Sequence, residues 1–471
     1  MAYLRLGRFS RSVWISFKTH FEDDMPKECI DSSLRKITPK RIVLATIGSF
    51  GDLHPCIALA LELQRRNHDV TVASTAYYAN KIQRLGLAFR PIRPDWNPTD
   101  RQLIRQCEDL RTGPEILYRK LILPWLKATY EDLLSAATGA DFLLAGELVY
   151  AAPLVVEKLA LRWASIILSP SSFFSSRDPS VLVTVPGLIH LQKLGPTVYK
   201  AGLNFCRLAT LHWSNPVRSL RRELGLRRGC DPVFRDKFAQ DLVLALFSAQ
   251  LAKKQSDWPV QTLQPGFVFF DDPGAVDGAV DKLESFLAAG DPPIVFALGS
   301  TAAHNPGNFY EASVEAARRI RRRAVLIGAT TRMSSSDVLS VPYAPYSQIF
   351  PRAVAIVHQA GSGTTAQALR AGRPSLMVPY GWDQPDNASR VERLGTGVAL
   401  PRVFYNAGNA ATCLERLLND QRFASRAVEA KALLEDDALS PVCDAIERLL
   451  ADGSGSNQAR SERPLCYAKT I

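Results

Sequence analysis

Ala353-Val354-Ala355-Ile356-Val357 runs directly into His358-Gln359-Ala360-Gly361-Ser362-Gly363-Thr364-Thr365-Ala366-Gln367-Ala368-Leu369. The first stretch is short, apolar and strand-like, the glycines mark a tight turn, and the residues after them have helical character. Glycines let the main chain approach a ligand closely, and a helix start presents unpaired N–H groups at the positive end of its dipole. Such a turn is an anion cradle, and a diphosphate is its natural occupant. The plainer reading is a tight strand-to-helix turn with Ser362 and Thr364 as caps.

The same alternation continues on both sides. The strand Ser375–Val378 leads into Pro379-Tyr380-Gly381-Trp382-Asp383-Gln384-Pro385-Asp386-Asn387, which opens another helix. An acid and an amide side by side can grip adjacent sugar hydroxyls, the carboxylate accepting and the amide doing both; Asp383 as a simple helix cap is the alternative. Upstream, Tyr343-Ala344-Pro345 ends a strand and offers a flat ring on which a base can stack. Ile294–Leu298, then Gly299-Ser300-Thr301, a helix over 309–322, Ala324–Ile327 and Val398–Leu400 complete one Rossmann-like half. A second half begins at Ile42–Ile47, with Gly48-Ser49-Phe50-Gly51, a helix over Pro55–Arg66, the strand Val70–Ala73, and further alternation at 141–145, 151–161 and 164–168.

The fold class predicted is therefore α/β, with two doubly wound Rossmann-like domains. The organisation reads as a basic, loosely ordered extension over 1–40, an N-terminal domain over 41–255, a linker over 256–292, a C-terminal domain over 293–430, C-terminal helices over 431–451 crossing back to the N-terminal domain, and a disordered tail over 452–471. Residues 171–240 are less regular, and Met25 stands as an alternative start.

Composition bounds the function. With 471 residues, 46% of them hydrophobic and 22% charged, the chain is an ordinary globular one, large enough for two cores. The net charge of +11 gathers in clusters, Arg318 to Arg323 and Arg218 to Arg228, which read as solvated helix faces because no aromatic residues interleave them as a nucleic-acid platform requires. The eight cysteines form no CxxC pair and read as reduced thiols of a cytoplasmic protein, and no apolar run reaches the roughly 18 residues of a membrane span. Peripheral contact with the inner face of a membrane remains compatible with the charge.

Together these segments resemble the donor-site signature of the family 1, UDP-glycosyltransferase-like enzymes, over roughly 41–75 and 294–400. Weaker similarity in Ser169–Phe174 and Gln255–Pro259 looks like bacterial lipid-acceptor rhamnosyltransferases. The resemblance implies the GT-B architecture, two facing domains with a cleft between them. It implies that Tyr343 stacks on the pyrimidine, that Gly361, Ser362, Gly363 and Thr364 bind the diphosphate with help from Ser300 and Thr301, and that Asp383 and Gln384 hold the hexose. Where relatives read His-Gly-Gly, this chain has Gln359-Ala360-Gly361, with the histidine one place earlier at His358; Gln359 supplies a neutral hydrogen bond but no charge. Gly51-Asp52-Leu53-His54-Pro55 looks like the acceptor-facing loop, with Asp52 as base and His54 in reserve, against the plainer roles of helix cap and solvated loop histidine.

The activity implied is an inverting transfer of a hexose, glucose or rhamnose, from a UDP- or dTDP-sugar to the hydroxyl of a hydrophobic small-molecule or lipid acceptor. No cofactor and no metal are expected: the sequence holds no Asp-x-Asp triplet, no HExxH and no P-loop. A nucleotide-sugar epimerase or hydrolase on the same scaffold, and a degenerate non-catalytic partner, are the alternatives. A Rossmann dehydrogenase is disfavoured, because Gly48-x-x-Gly51 is not GxGxxG. For an apolar acceptor cavity the candidates are Phe173, Phe174, Trp125, Trp163, Phe205 and Trp213, all of which also read as plain core.

Overall fold

Strands buried on both faces must be apolar throughout, and the short runs seen in the sequence take that form. A computed structural model describes residues 38–452 apart from 98, 230, 273–279 and 330–332. The extension expected over 1–40 and the tail over 452–471 fall, but for residues 38–40 and 452, outside the described residues, as do Met25, Cys29, Cys230 and Cys466.

β1 (Arg41–Ala45), β2 (Asp69–Ser74), β3 (Ala88–Pro91), β4 (Phe142–Gly146), β5 (Arg162–Ile167), β6 (Leu242–Ala245) and β7 (Thr262–Leu263) form one parallel sheet in the order β3-β2-β1-β4-β5-β6-β7. β8 (Ile294–Ala297), β9 (Ala324–Ile327), β10 (Val338–Val341), β11 (Ala355–His358), β12 (Ser375–Met377) and β13 (Gly397–Ala399) form a second, also parallel, in the order β10-β9-β8-β11-β12-β13. Both orders reverse beside their first strand, between β1 and β4 and between β8 and β11, and the ends of these strands open the crevice that binds ligands in doubly wound sheets.

Several segments depart from the sequence expectation. The first helix is Phe50–Arg65, starting before Pro55, because Ser49 caps it. β3 was not anticipated: Ala88-Phe89-Arg90-Pro91 lies at the sheet edge and is largely exposed, so it carries no apolar run. Among its described residues, the irregular middle contains the α-helices Pro196–Thr210 and Asn215–Glu223, with 3-10 turns before and between them. The stretch assigned to a linker, 256–292, includes β7 in the first sheet and the helix Val280–Ala288, whose Leu283 and Leu287 join the core of the second.

The helix Leu439–Ala451 packs on Phe50–Arg65: Val442, Cys443 and Ile446 share a core with Leu53 and Ile57, and Arg66 pairs with Asp444 and Glu447. A further core joins the halves beneath the crevice, where Ile167, Phe247 and Trp258 meet Ala366, Leu369 and Val391.

Candidate active site

In the second half, the cradle is the turn between β11 and the helix Ser362–Ala371. Gly361 is its N-cap, and no side chain caps that helix start, so Ser362 and Thr364 do not play the capping role open to them. Gly363 faces open space: a Cβ built there meets nothing within 4 Å, so the protein's own packing does not demand a glycine at this position. Gln359 reaches across the crevice, its Oε1 accepting from the Gly299 N–H at 2.8 Å, and so ties the β8 turn to the β11 turn. Ser300 and Thr301, half-buried, continue that β8 turn.

The following helix, Gln384–Leu394, opens with the acid and amide expected from the sequence to grip the sugar. Asp383 is its N-cap but makes no side-chain cap bond. Its Oδ2 instead accepts from Ser362 Oγ at 2.7 Å and from Asn387 Nδ2 at 2.7 Å, and Asn387 also donates to the Ala360 carbonyl at 3.0 Å. Cradle and clamp are thus one hydrogen-bonded unit, with Asn387 as a strut that motif reading had not singled out. Gln384 Oε1 accepts from the Tyr380 and Gly381 N–H groups at 2.7 and 3.2 Å, which occupies its acceptor and fixes the side chain so that the NH2, a donor only, is its remaining polar group. Burial raises the Asp383 carboxyl above its ordinary range, against the bonds from Ser362 and Asn387 that hold it down.

In the first half, Ser49 and Asp52 form a capping box. Asp52 Oδ2 accepts from the Ser49 N–H at 2.8 Å and Oγ at 3.2 Å, while Gly51 N–H donates to Ser49 Oγ at 3.1 Å. Asp52 is therefore a cap, and the same geometry aims its carboxylate at the crevice. Gly48 makes room for it: at φ 145° a Cβ would lie 2.2 Å from Asp52 Oδ2. Burial pushes the Asp52 carboxyl up to about 7, the Ser49 bonds oppose this, and the charges of Glu147 and Asp383 add to the rise. A carboxyl raised into this range can exchange a proton near neutral pH, as the base expected at this position requires.

Glu147 escaped sequence reading. It follows β4, the strand paired to β1 on the far side of the first sheet's reversal point, and is held by Lys237 at 3.0 Å and Ser172 at 2.9 Å. Its charge acts on both Asp52 and Asp383, so three carboxylates from the two halves converge on the crevice. Its place immediately after Phe142–Gly146 was the available signal.

The histidines go elsewhere. His54 lies in the helix, not in a solvated loop, about 200° around the axis from Asp52. It packs between Phe50 and Phe270, its Nε2 has no partner, and burial lowers it to about 3. His358 is wholly enclosed at the end of β11, its Nδ1 taken by the Ala360 N–H at 3.1 Å, and burial lowers it to about 3. Neither presents a charge to the crevice. Tyr343 follows β10 and is 37% exposed, its hydroxyl pushed up to about 12 by burial and by Asp272 and Asp271.

Among the aromatic acceptor candidates, Phe173 stacks on Trp258 at 3.9 Å in the shared core and Trp163 is buried, whereas Trp125 and Phe205 are exposed. Phe174 packs on Phe234 and Trp213 on Tyr118. The arginine clusters contain ion pairs, Arg318 with Asp337, Arg319 with Glu315 and Arg221 with Glu157.

The clamp helix is pinned to the opposite half. Buried Arg390 bonds Asp386 at 2.7 Å, Asp178 at 2.5 Å, Ser180 Oγ at 3.0 Å and the Leu251 carbonyl at 3.1 Å, while the Val181 N–H donates to Asp386 at 2.9 Å. Across the crevice, Glu108 accepts from Asn305 at 2.8 Å and Arg402 at 3.3 Å. These contacts fix where Asp383 stands relative to Asp52.

Comparison with known proteins agrees with this layout. The glycosyltransferase family 28 N-terminal domain matches residues 42–159, and the erythromycin biosynthesis protein CIII-like C-terminal domain matches 328–450. The chain is 32% identical over 428 residues to an O-mycaminosyltylonolide 6-deoxyallosyltransferase of Streptomyces fradiae, covering 86% of this chain and 97% of that one. It is 27% identical to a sterol 3-beta-glucosyltransferase of Arabidopsis thaliana, over 88% of this chain and 67% of that one. The solved glycosyltransferase VinC in complex with dTDP shares the GT-B fold at a TM-score of 0.61 and 18% identity, covering 88% of this chain and 100% of that one. With both halves matched and a relative aligned across nearly its full length, the chain belongs to the glycosyltransferases that join a family 28 N-terminal domain to an erythromycin CIII-like C-terminal domain.

Proposed function

We propose that this glycosyltransferase moves a hexose, glucose or rhamnose, from a UDP- or dTDP-sugar to a hydroxyl of a hydrophobic acceptor, with inversion and without a metal. The observation that carries the reading is the convergence of Asp52 from one half on the Asp383–Ser362–Asn387 unit of the other. In the reaction the acceptor oxygen attacks the anomeric carbon as its proton passes to the Asp52 carboxylate, and the anomeric C–O bond breaks toward the diphosphate. The uncapped start of Ser362–Ala371 receives the developing charge through main-chain N–H groups and the helix dipole. Asp383 and the Gln384 NH2 hold the hexose hydroxyls. A single displacement from one face inverts the anomeric centre. The sterol in one relative's name and the dTDP in a structural neighbour support the acceptor and donor classes proposed.

The test is thermal denaturation with UDP- and dTDP-sugars in EDTA, repeated on Asp383→Ala, followed by product analysis with an apolar alcohol. Saturation about 100-fold above Kd stabilises by about 2.7 kcal/mol, and the substitution should abolish most of that gain. No shift with any nucleotide sugar, a shift that EDTA removes, or free sugar with no glycoside would each overturn the corresponding part of the proposal.

A further inference from the structure

The helix Pro196–Thr210 has an apolar face on each side. Tyr199 and Leu203 are buried, and Gly202 lies against Leu188 and Leu191, so one side is anchored in the protein. The opposite side presents Val198, Ala201, Phe205 and Leu208 at spacings of three, four and three residues, which puts them on one stripe. Phe205 is 73% exposed and Leu208 68%, and Leu194, at the end of the preceding turn, is 68% exposed. A soluble surface scatters single apolar side chains; a contiguous stripe of large ones marks a contact face.

Charge selects the partner. Residues 179–222 contain no aspartate or glutamate but six basic residues, Lys193, Lys200, Arg207, Arg218, Arg221 and Arg222. Arg207 and Arg221 are paired with Asp231 and Glu157. Lys193, Lys200, Arg218 and Arg222 form no ion pair among the described residues, and Lys193 and Arg222 are exposed. An apolar stripe set in an acid-free, cationic segment complements an anionic lipid surface, where acyl chains receive the stripe and headgroups the cations.

We propose that this segment docks the enzyme on an anionic bilayer through Leu194, Val198, Phe205 and Leu208, with Lys193 and Lys200 contacting headgroups. The segment is rooted at the clamp helix: Tyr199 Oη donates to the Ser180 carbonyl at 3.1 Å, and Ser180 accepts from Arg390. No helix among the described residues is long and apolar enough to cross a membrane, so the contact is a surface one.

The experiment is flotation of the full chain with vesicles of phosphatidylglycerol in phosphatidylcholine, against pure phosphatidylcholine, at low and high salt. Expected is binding to the anionic vesicles that weakens with salt, and a loss of about tenfold or more for Phe205→Ser/Leu208→Ser with Tm unchanged, as burial of two large apolar groups implies. Lys193→Gln/Lys200→Gln should narrow the preference for anionic over neutral vesicles. Absence of binding, equal binding to neutral vesicles, or full binding by the apolar double variant would overturn the proposal. So would a dimer of the wild-type chain that the same variant converts to monomer, which would assign the stripe to a second copy. The donor-induced rise in Tm is read on the same preparations; it depends on Asp383 and not on Phe205, so the docking and the donor site succeed or fail separately.

Discussion

β1 and β11 each run into a glycine turn and then a helix, but the two helix starts end in opposite electrical states. After β1, Ser49 caps the helix and Asp52 places a carboxylate on its positive end, bonded at 2.8 Å to the Ser49 N–H. After β11, Gly361 caps with no side chain, and the hydroxyl of Ser362 turns aside to Asp383. The first turn is filled by its own anion and repels another; the second is left open for one. In the reaction proposed above, the two Rossmann-like units would divide the labour, the self-capped turn keeping a carboxylate for proton transfer and the uncapped turn taking the diphosphate.

The largest effect should come from removing the anion of the filled turn. Asp52→Asn keeps an acceptor for Ser49 but no base, so turnover should fall by about 10²–10⁴-fold while the donor still raises Tm. In the wild type, kcat/KM should decline as pH drops through about 7, the position of the Asp52 carboxyl. Stability moves the other way. A carboxyl raised in the folded state from its ordinary 3.8 to about 7 favours folding when protonated, and that contribution is lost as pH rises through this window. Asp52→Asn should therefore have the higher Tm at pH 8, with the difference vanishing toward pH 4. Retained turnover, or a Tm difference that ignores pH, breaks the assignment.

Gly363→Ala probes the open turn. A Cβ there meets no protein atom within 4 Å, and alanine suits a helix better than glycine by about 1 kcal/mol, so the variant should fold as well or better. If a phosphate lies against that turn, the methyl occupies its approach, and calorimetry should show dTDP affinity weakened about tenfold, near 1.4 kcal/mol. Unchanged affinity would move the diphosphate elsewhere and dissolve the contrast between the turns.

What was legible from sequence follows the range of the interactions. Gly361 to Thr364, Asp383 and Gln384 sit within a few residues of the strand ends that present them, so strand, glycine and helix start could be read in order. Asn387 acts through Ala360 and Ser362, 27 and 25 residues away, and Glu147 acts on Asp52 only because β1 and β4 pair with Ala45 opposite Ala145. No local pattern reports a parallel pairing across nearly a hundred residues. His54 and His358 failed for the converse reason: beside a motif they look chemical, but packing against Phe270 and inside the second sheet's core removes them from the crevice. Residues 171–240 were legible only as amphipathic basic stretches without strands, because the helices Pro196–Thr210 and Asn215–Glu223 follow one another with no strand between them to give the βαβ alternation.

The smallest and sharpest test compares the two serines. Ser49→Ala removes the acceptor of the Gly51 N–H and the hydroxyl donor to Asp52, leaving only the Ser49 N–H on the carboxylate. Loss of an N-cap costs about 1 kcal/mol, visible as a lower midpoint in denaturant. The hydroxyl bond also holds the Asp52 carboxyl down, so without it the acidic limb of kcat/KM should shift to higher pH. Ser362→Ala, at the turn where the serine is not a cap, should leave the midpoint nearly unchanged. The Asp383 carboxyl, deprived of the Ser362 bond that opposes its burial, should rise further instead, and donor affinity should become more sensitive to acid. If both serines cost the same stability, the second turn is capped after all, and its helix start is not free to hold a diphosphate.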